Sequence, residues 1–173
     1  MIRLKQMKSI VVAYDKNRII GRNGELPWAG SLPADMKHFR EVTEGGTVIM
    51  GRKTYDSLPD RMRPLPNRQN IVLSMGQVAG EGFQVAQSLE DAYSLANSDV
   101  ISIIGGGQIY ELAFPTVDQI LATEIDTNVN DGDVRFPHLS LEWHESERQD
   151  FESDDRNKYG YSFVTYLRNH PIT

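Results

Sequence analysis

The sequence predicts an α/β fold built on a mixed, mostly parallel β-sheet. Apolar, β-branched runs alternate along the chain with segments of helical periodicity, which is typical of that class. The runs at 47–50, 70–74 and 100–104 are apolar through their centres, as expected for strands covered on both faces. Near the C-terminus the pattern changes to an alternation of side chains, which predicts an antiparallel hairpin that closes the sheet.

The elements are predicted in the following order. Strands are expected at 9–14, 47–50, 70–74, 100–104 and 119–125. Helices are expected at 32–43, 53–58, 88–96 and 108–114. Ser31 and Ser88 are the expected caps of two helices, the latter with Asp91 three residues on. The hairpin is expected from 142–151 and 160–168, on either side of the turn-rich segment SDDRNKYG.

Length and composition favour a single domain over residues 1–173, with a core at about 9–168. The chain has no Cys, so it holds no disulfide and no thiolate metal site, and its His residues show no ligand spacing. The first apolar run is about five residues long, too short for a signal peptide or a spanning helix. We therefore expect a cytoplasmic protein without metal.

The charge is unevenly distributed. The chain carries a net charge of −6, which argues against general affinity for nucleic acid or an anionic membrane. Residues 52–68 contain five Lys and Arg against two Asp, a local net charge of +3. This basic island indicates either a small anionic ligand held in one place or an Arg-rich solvated loop.

Two glycine turns follow buried strands and open helices. Gly51 stands in VIMGRKTYDSL, with Arg52, Lys53 and Thr54 behind it, and the triplet 105–107 stands in ISIIGGGQIYELA. Helix N-termini present unpaired N–H groups that attract phosphate. The triplet is neither a Rossmann fingerprint nor a P-loop, since Tyr110 stands where the third Gly would be and no G-K-[ST] follows. Together the two turns are suited to the two phosphate regions of a dinucleotide, unless both are plain structural turns.

One acid stands beside an apolar helix face. In the helix at 32–43, one face carries Leu32, Met36, Phe39 and Thr43. The opposite face carries Lys37, His38, Arg40 and Glu41. Asp35 lies at the border of the apolar face. A carboxylate in the first turn commonly serves the helix dipole. Beside Phe and Met, however, it is expected to be partly desolvated and suited to binding a flat amidine-like heterocycle or to assisting protonation.

A loop rich in Gly and Pro precedes that helix. Leu26 and Trp28 are apolar residues within it, so the loop is expected to be either a lid over the carboxylate or a segment pinned to the core by Trp28.

The motifs in their order resemble the bacterial dihydrofolate reductase family. They are IIGRNGELPW, LPADMKHF, TVIMGRKTYDSL, RPLPNRQNIVLS, IIGGGQIYE, LATEID and DGDVRFP, and they span about residues 9–168. The resemblance implies eight strands flanked by four helices. It also implies that NADPH donates a hydride to C6 of 7,8-dihydrofolate, whose N5 is protonated, giving tetrahydrofolate for one-carbon and thymidylate metabolism. Antifolate binding and a monomeric state are further expectations.

The resemblance also implies roles for individual residues. Asp35, Leu26 and Trp28 match catalytic and gating positions, with Pro27 beside them and Asp133 bracing the loop. Substrate-binding positions match Val12, Met36, Phe39, Leu58, Leu65, Arg68, Ile104, Tyr110 and Thr123, where Arg68 would grip the glutamate carboxylate and Thr123 would contact Asp35. Cofactor-binding positions match Ala13, Ile20, Gly51, Arg52, Lys53, Thr54, Ser74, Gly105, Gly106, Gly107, Gln108 and Ile109. The Gly105–Gly106 peptide is expected to be cis.

Three departures and two alternatives accompany the resemblance. Ala29–Ser31 and 59–63 lengthen two loops, and Gln108 replaces an Arg common near the adenosine phosphate, which weakens the NADPH preference. A pyrimidine reductase of riboflavin synthesis on the same fold is one alternative, but it predicts no Asp at position 35. A folate- or dinucleotide-binding module without turnover is the other.

Overall fold

The computed structural model describes residues 5–170, which form one eight-stranded mixed sheet and a small two-stranded sheet. The strands are β1 (Met7–Tyr14), β2 (Ile19–Gly21), β3 (Thr47–Gly51), β4 (Gln69–Leu73), β5 (Gln84–Ala86), β6 (Val100–Gly105), β7 (Gln119–Ile125), β8 (Val134–Arg135), β9 (Trp143–Phe151) and β10 (Tyr161–Arg168). The helices are α1 (Pro33–Thr43), α2 (Arg52–Ser57), α3 (Leu89–Leu95) and α4 (Gly107–Ala113), with short 3₁₀ turns at Asp60–Met62 and Phe114–Thr116.

The large sheet has the strand order β5-β4-β3-β6-β1-β7-β10-β9. All pairs from β5 to β7 are parallel, and β10 pairs antiparallel with both β7 and β9. The predicted fold class, with eight strands, four helices and a C-terminal antiparallel hairpin, is confirmed. Because β3, β6 and β1 are adjacent and parallel, their carboxyl ends meet at one edge, where ligands bind in open α/β sheets.

Alternating side chains divide the core between the two faces of the sheet. Ile49 and Ile71 belong to a cluster that includes Ala92 of α3 and Tyr110 of α4. Their neighbours Val48 and Val72 pack with Tyr55 of α2 on the other face. Helices therefore cover both faces, which explains the apolar character of the parallel strands.

Three short strands escaped the sequence analysis. β2 and β8 pair antiparallel in the small sheet, and β5 extends the large sheet beside β4. Each has only two or three residues, and both residues of β8 are exposed. Such a segment is too short to show a periodicity, so its pairing is fixed by neighbouring structure.

The predicted Ser31 cap is wrong, whereas the Ser88 cap is confirmed. The Ser88 side chain accepts a hydrogen bond from the backbone N–H of Asp91. Helix α1 instead has Leu32 at its N-cap, without a side-chain cap bond, and Pro33 follows. The N–H of Ala34 donates to Oδ1 of Asn157 at 3.0 Å. A side chain from the β9–β10 connection thus accepts a hydrogen bond at the start of α1, where Ser31 was expected to cap the helix.

Candidate active site

The two glycine turns lie side by side at the carboxyl edge of the sheet. Met50 of β3 is in register with Gly105 of β6. A Cβ added at Gly51 would lie 2.9 Å from Cγ1 of Ile109, and one added at Gly106 would lie 3.4 Å from Oγ1 of Thr54. The Gly105–Gly106 peptide is cis, as the resemblance implies. The turns therefore form one cradle that side chains would obstruct.

Charge at the cradle comes from side chains rather than from long helices. α2 has six residues and α4 seven, so neither supplies a large macrodipole. Arg52, Lys53 and Gln108 are exposed beside the turns. Nε of Arg52 lies 3.6 Å from Oδ2 of Asp56. Unlike Arg52, Lys53 has no ion pair within residues 5–170. These side chains fit a polyanionic dinucleotide.

Two further predicted cofactor residues border this cradle. The side chain of Ile20, from β2, approaches the position of a Cβ at Gly107 to 3.9 Å. Ser74 follows β4, and its hydroxyl is within hydrogen-bond distance of the Gly76 backbone. Both residues lie on segments next to β3 or α4, which is consistent with a ligand running along this edge.

Asp35 is presented by the first turn of α1 and is largely covered by protein. Its carboxylate is hydrogen-bonded with Thr123 of β7. Burial raises the pKa of Asp35 above its ordinary value, while the Thr123 hydrogen bond and the nearby His38 oppose that rise. Burial also raises the pKa of the Tyr110 hydroxyl, with a further contribution from Asp35, so this tyrosine remains neutral. Asp35 is thus a desolvated carboxylate with one hydroxyl partner from the sheet.

Apolar side chains beside α1 form one continuous wall. Phe39, Leu58 and Ile104 are partly buried against the cluster that contains Leu65. Four predicted substrate-binding residues are therefore together. Met36, by contrast, is 55% exposed, so it lies outside this packed wall, and its role in substrate binding stays a prediction. The helix turns this residue towards solvent because Asp35 and His38, not Met36, face β7 and β10.

Val12 lies on a different face of the sheet from the predicted substrate-binding residues of the apolar wall. Its side chain packs with Ile10 and Tyr14 in the core on the α3 and α4 side of the sheet. Alternation places Val11 and Ala13 on the opposite face, and Ala13 packs with the cluster that contains Trp28. The backbone carbonyl of Val11 accepts a 2.8 Å hydrogen bond from the Tyr110 hydroxyl. Val11 is therefore a candidate site residue that the sequence analysis did not name.

Arg68 is oriented by two hydrogen bonds at the end of the wall. Its Nε donates to the carbonyl of Pro66 at 2.8 Å, and its Nη1 donates to Oγ1 of Thr43 at 3.0 Å. The guanidinium carbon lies 6.0 Å from the centroid of the Phe39 ring. Burial lowers the pKa of Arg68, with Glu44 opposing this, but an arginine remains charged. A fixed cation next to an apolar wall is suited to a carboxylate attached to an aromatic group.

The loop before α1 is anchored at one residue and exposed at another. Trp28 is 3% exposed and packs with Leu32, Ile125 and Tyr161, so the pinned-loop alternative describes this residue. Its Nε1 is buried and has no hydrogen-bond partner among residues 5–170. Leu26 is 45% exposed. The indole N–H beside the Asp35 helix is therefore a buried donor that is available to a polar partner.

Asp133 ties the loop that carries it to the loop before α1. Its Oδ2 accepts a hydrogen bond from the backbone N–H of Asn23 at 3.1 Å, and its own N–H donates to Gly21 O at 3.1 Å. The bracing position implied by the resemblance therefore has the contacts that such a brace requires.

A separate cleft of about 540 Å³ lies beyond β7, with Tyr14, Glu124 and Tyr166 in its lining. Thr123 and Glu124 are consecutive in β7, so this cleft and Asp35 are on opposite faces of the sheet. The carboxylate of Glu124 already accepts hydrogen bonds from Tyr14, Tyr166 and Arg148. We therefore assign Glu124 a structural role and place the candidate site at Asp35.

Residues 5–170 contain no group of three or more His, Asp or Glu arranged to hold a metal ion. Over the same residues, no helix has the length and apolar character needed to cross a membrane.

The family model for dihydrofolate reductase matches residues 7–168. The chain belongs to the dihydrofolate reductase family. It is 44% identical over 163 residues to dihydrofolate reductase type 3 of Salmonella typhimurium, covering 92% of this chain and 97% of that protein. It is 40% identical over 162 residues to the dihydrofolate reductase of Haemophilus influenzae, covering 92% and 98%.

A solved structure extends this relationship to three dimensions. The dihydrofolate reductase from Enterococcus faecalis, complexed with NADP(H) and RAB-propyl, superposes with a TM-score of 0.84 at 32% identity, covering 95% of this chain and 97% of that one. These matches do not favour the pyrimidine reductase or the non-catalytic module. The position of Asp35 next to Thr123 also argues against the pyrimidine reductase, which predicts no Asp at position 35.

Proposed function

We propose that the protein reduces 7,8-dihydrofolate to 5,6,7,8-tetrahydrofolate with NADPH. The observation that carries the proposal is the desolvated Asp35 carboxylate, held by Thr123 next to an apolar wall and a glycine cradle. We therefore propose that a cofactor site and a slot for the pterin are adjacent at one edge of the sheet. Bound NADPH supplies the hydride, so the protein's own work is binding, orientation and control of the proton.

The Asp35 carboxylate is assigned two tasks. As an anion it accepts paired hydrogen bonds from the amino group and a ring N–H of the pterin, which fixes the ring's orientation. Its negative charge, little screened at this depth, also favours a proton on the nearby N5 of the substrate. The proton reaches N5 through water, and the indole Nε1 of Trp28, a buried donor lacking a partner in residues 5–170, is suited to hold that water.

The remaining residues orient the two ligands. Phe39, Leu58, Leu65 and Ile104 enclose the pterin and benzoyl groups, with exposed Met36 at the rim. Arg68, already fixed by Pro66 and Thr43, directs its free edge to the substrate's glutamate carboxylate. Lys53 and Arg52 hold the 2′-phosphate of NADPH, and the glycine cradle admits its backbone phosphates.

The biological setting follows from this reaction. We propose a cytoplasmic, single-domain monomer that supplies tetrahydrofolate to one-carbon and thymidylate metabolism and binds antifolate inhibitors at the Asp35 slot. Its net charge of −6 supports a small-molecule enzyme rather than a nucleic-acid-binding protein.

A spectrophotometric assay tests the proposal. Purified protein mixed with NADPH should lose the near-ultraviolet absorbance of the cofactor when dihydrofolate is added, and not before. NADH should support a slower reaction, because Arg52 and Lys53 then lack a 2′-phosphate. Tight binding of both ligands without loss of absorbance would favour the non-catalytic module, and turnover of a ribosylated pyrimidine instead would favour the pyrimidine reductase.

A further inference from the structure

Two residues of α1 each contact one residue of the sheet. Asp35 and His38 stand three residues apart on α1, so their side chains share one face of the helix. Asp35 is hydrogen-bonded with Thr123 of β7, and His38 stacks on Phe163 of β10. Thr123 and Phe163 are register partners across the β7–β10 pair. The two helix residues therefore rest on one cross-strand pair of the sheet.

The stacking fixes the imidazole on the helix face that also carries the Asp35 carboxylate. The ring centroids of His38 and Phe163 lie 3.8 Å apart, with an interplanar angle of 11°. Both rings are half-buried, so solvent screens the imidazole less than a surface histidine. Helical periodicity alone placed His38 opposite the apolar face, so its position next to the sheet was not predicted from the sequence.

We propose that His38 is a positioning residue of the reaction, whose imidazole, fixed on Phe163, brings a switchable positive charge beside Asp35 and so sets the acidic limit of activity. The inference rests on the proposed function in that it assigns a regulating partner to the same carboxylate. His38 acts through Asp35 rather than on the substrate.

The charges facing the pair give the direction of the effect. Asp35 faces His38 on its own helix and Tyr110 of α4, a tyrosine that remains neutral. His38 faces Asp35 and Glu41 on α1, and the uncharged Phe163 of β10. Burial lowers the pKa of His38, and the two carboxylates oppose this lowering. The imidazole is thus neutral at neutral pH and gains its proton on acidification.

The consequence is a delayed loss of activity in acid. As pH falls, the protonated His38 stabilises the Asp35 anion, so Asp35 keeps the acceptor oxygens that hold the pterin. Without the imidazole, Asp35 takes up its proton at a higher pH and substrate binding fails earlier. The coupling must be reciprocal, because each group shifts the proton affinity of the other by the same factor.

The test compares three variants with the wild type in the NADPH-bound protein. His38→Phe keeps an aromatic ring against Phe163 but carries no charge, and His38→Lys carries a permanent charge. His144→Phe is the control, since His144 is an exposed histidine of β9. The carboxyl carbon of Asp35 is followed by NMR as a function of pH, a measurement that needs no turnover.

We expect the Asp35 midpoint to move to higher pH in His38→Phe and to lower pH in His38→Lys, with no shift in His144→Phe. The acidic limb of kcat/KM for dihydrofolate should move in the same directions, while KM for NADPH stays unchanged. An Asp35 midpoint that is the same in His38→Phe and the wild type would overturn the proposal, whatever the enzyme's activity.

A reciprocal measurement covers the case in which the His38 variants fail to fold. In Asp35→Asn the imidazole is retained, and its own NMR midpoint should fall because the neighbouring carboxylate is gone. An unchanged His38 midpoint would overturn the proposed coupling. Failure of NADPH oxidation by the wild type would instead overturn the proposed function and leave these midpoints meaningful.

Discussion

At Asp35 the requirements of activity and of stability conflict. Burial raises the pKa of its carboxyl group, and the hydrogen bond with Thr123 and the proximity of His38 only oppose that rise. Above its folded-state pKa, the native protein therefore carries a desolvated anion that the unfolded chain would hold in water. The paired hydrogen bonds that we propose between this anion and a pterin would offset the cost.

The first residue-scale prediction concerns the stability of Asp35→Asn. Because the folded pKa is raised, the carboxyl group's contribution is fully present below its ordinary value of 3.8 and is lost as pH rises through the folded pKa. Asp35→Asn should therefore melt at a higher temperature than the wild type at neutral pH, by about 2–4 °C per kcal/mol gained. The difference should close as pH is lowered, and a less stable variant at neutral pH would contradict the burial of the charge.

The second concerns Arg68→Ala. Losing a charge-assisted contact of about 1.5–3 kcal/mol should raise KM for dihydrofolate roughly tenfold to a hundredfold. KM for NADPH should change little, because Arg68 contacts Thr43 and lies over Phe39 of α1 and does not approach the glycine cradle. Arg61→Ala, an exposed arginine of the same basic island, is the matched control. Steady-state kinetics that showed equal losses for both ligands would remove Arg68 from the glutamate site.

At the scale of elements, Glu124 joins three strands behind the site. Its carboxylate accepts hydrogen bonds from Tyr14 of β1 at 2.8 Å, Tyr166 of β10 at 2.6 Å and Arg148 of β9 at 2.8 Å. Burial favours the neutral acid, but these hydrogen bonds outweigh it and the pKa of Glu124 is lowered. Thr123, the partner of Asp35, is the preceding residue, so this junction also supports the active site.

Glu124→Gln should lower the unfolding free energy by about 1–3 kcal/mol at neutral pH, measured by denaturant titration. Since the folded pKa is lowered, the contribution is present above the ordinary value of 4.5 and lost as pH falls through the folded pKa. The gap between variant and wild type should therefore shrink in acid. Glu147→Gln, on exposed β9, is the control, and an equal effect there would refute a special role for Glu124.

The sequence predicted the elements whose periodicity or capping residues lie within the element itself. It did not predict contacts with residues that are distant along the chain. β3, β7 and α3 were located within two residues because their periodicity or capping is local. The α1 cap was missed, since its acceptor, Asn157, lies more than a hundred residues away along the chain. His38 was underestimated for the same reason: its position depends on Phe163 of β10.

At the scale of the whole molecule, an acidic chain places two exposed cations where an anionic ligand is expected. The net charge is −6, yet the sheet edge carries Arg52 and Lys53 beside the cradle of Gly51 and Gly105. Such a distribution favours capture of a polyanion at one place on an otherwise repelling surface.

Cofactor binding should therefore stabilise the whole fold. NADPH at about one hundred times its Kd is expected to add roughly 2.7 kcal/mol to the unfolding free energy, seen as a rise in Tm. NADH at the same concentration should give a smaller rise, because it lacks the phosphate that Arg52 and Lys53 would hold. Equal rises for the two cofactors would show that these cations do not read the 2′-phosphate.

The most direct test of the central claim is the single-turnover rate of hydride transfer to dihydrofolate as a function of pH. We predict that Asp35→Asn transfers hydride about 10²–10⁴-fold more slowly than the wild type. The deficit should be largest at high pH, where the substrate arrives without its proton. A variant that matched the wild type at every pH would show that the Asp35 carboxylate takes no part in the reaction.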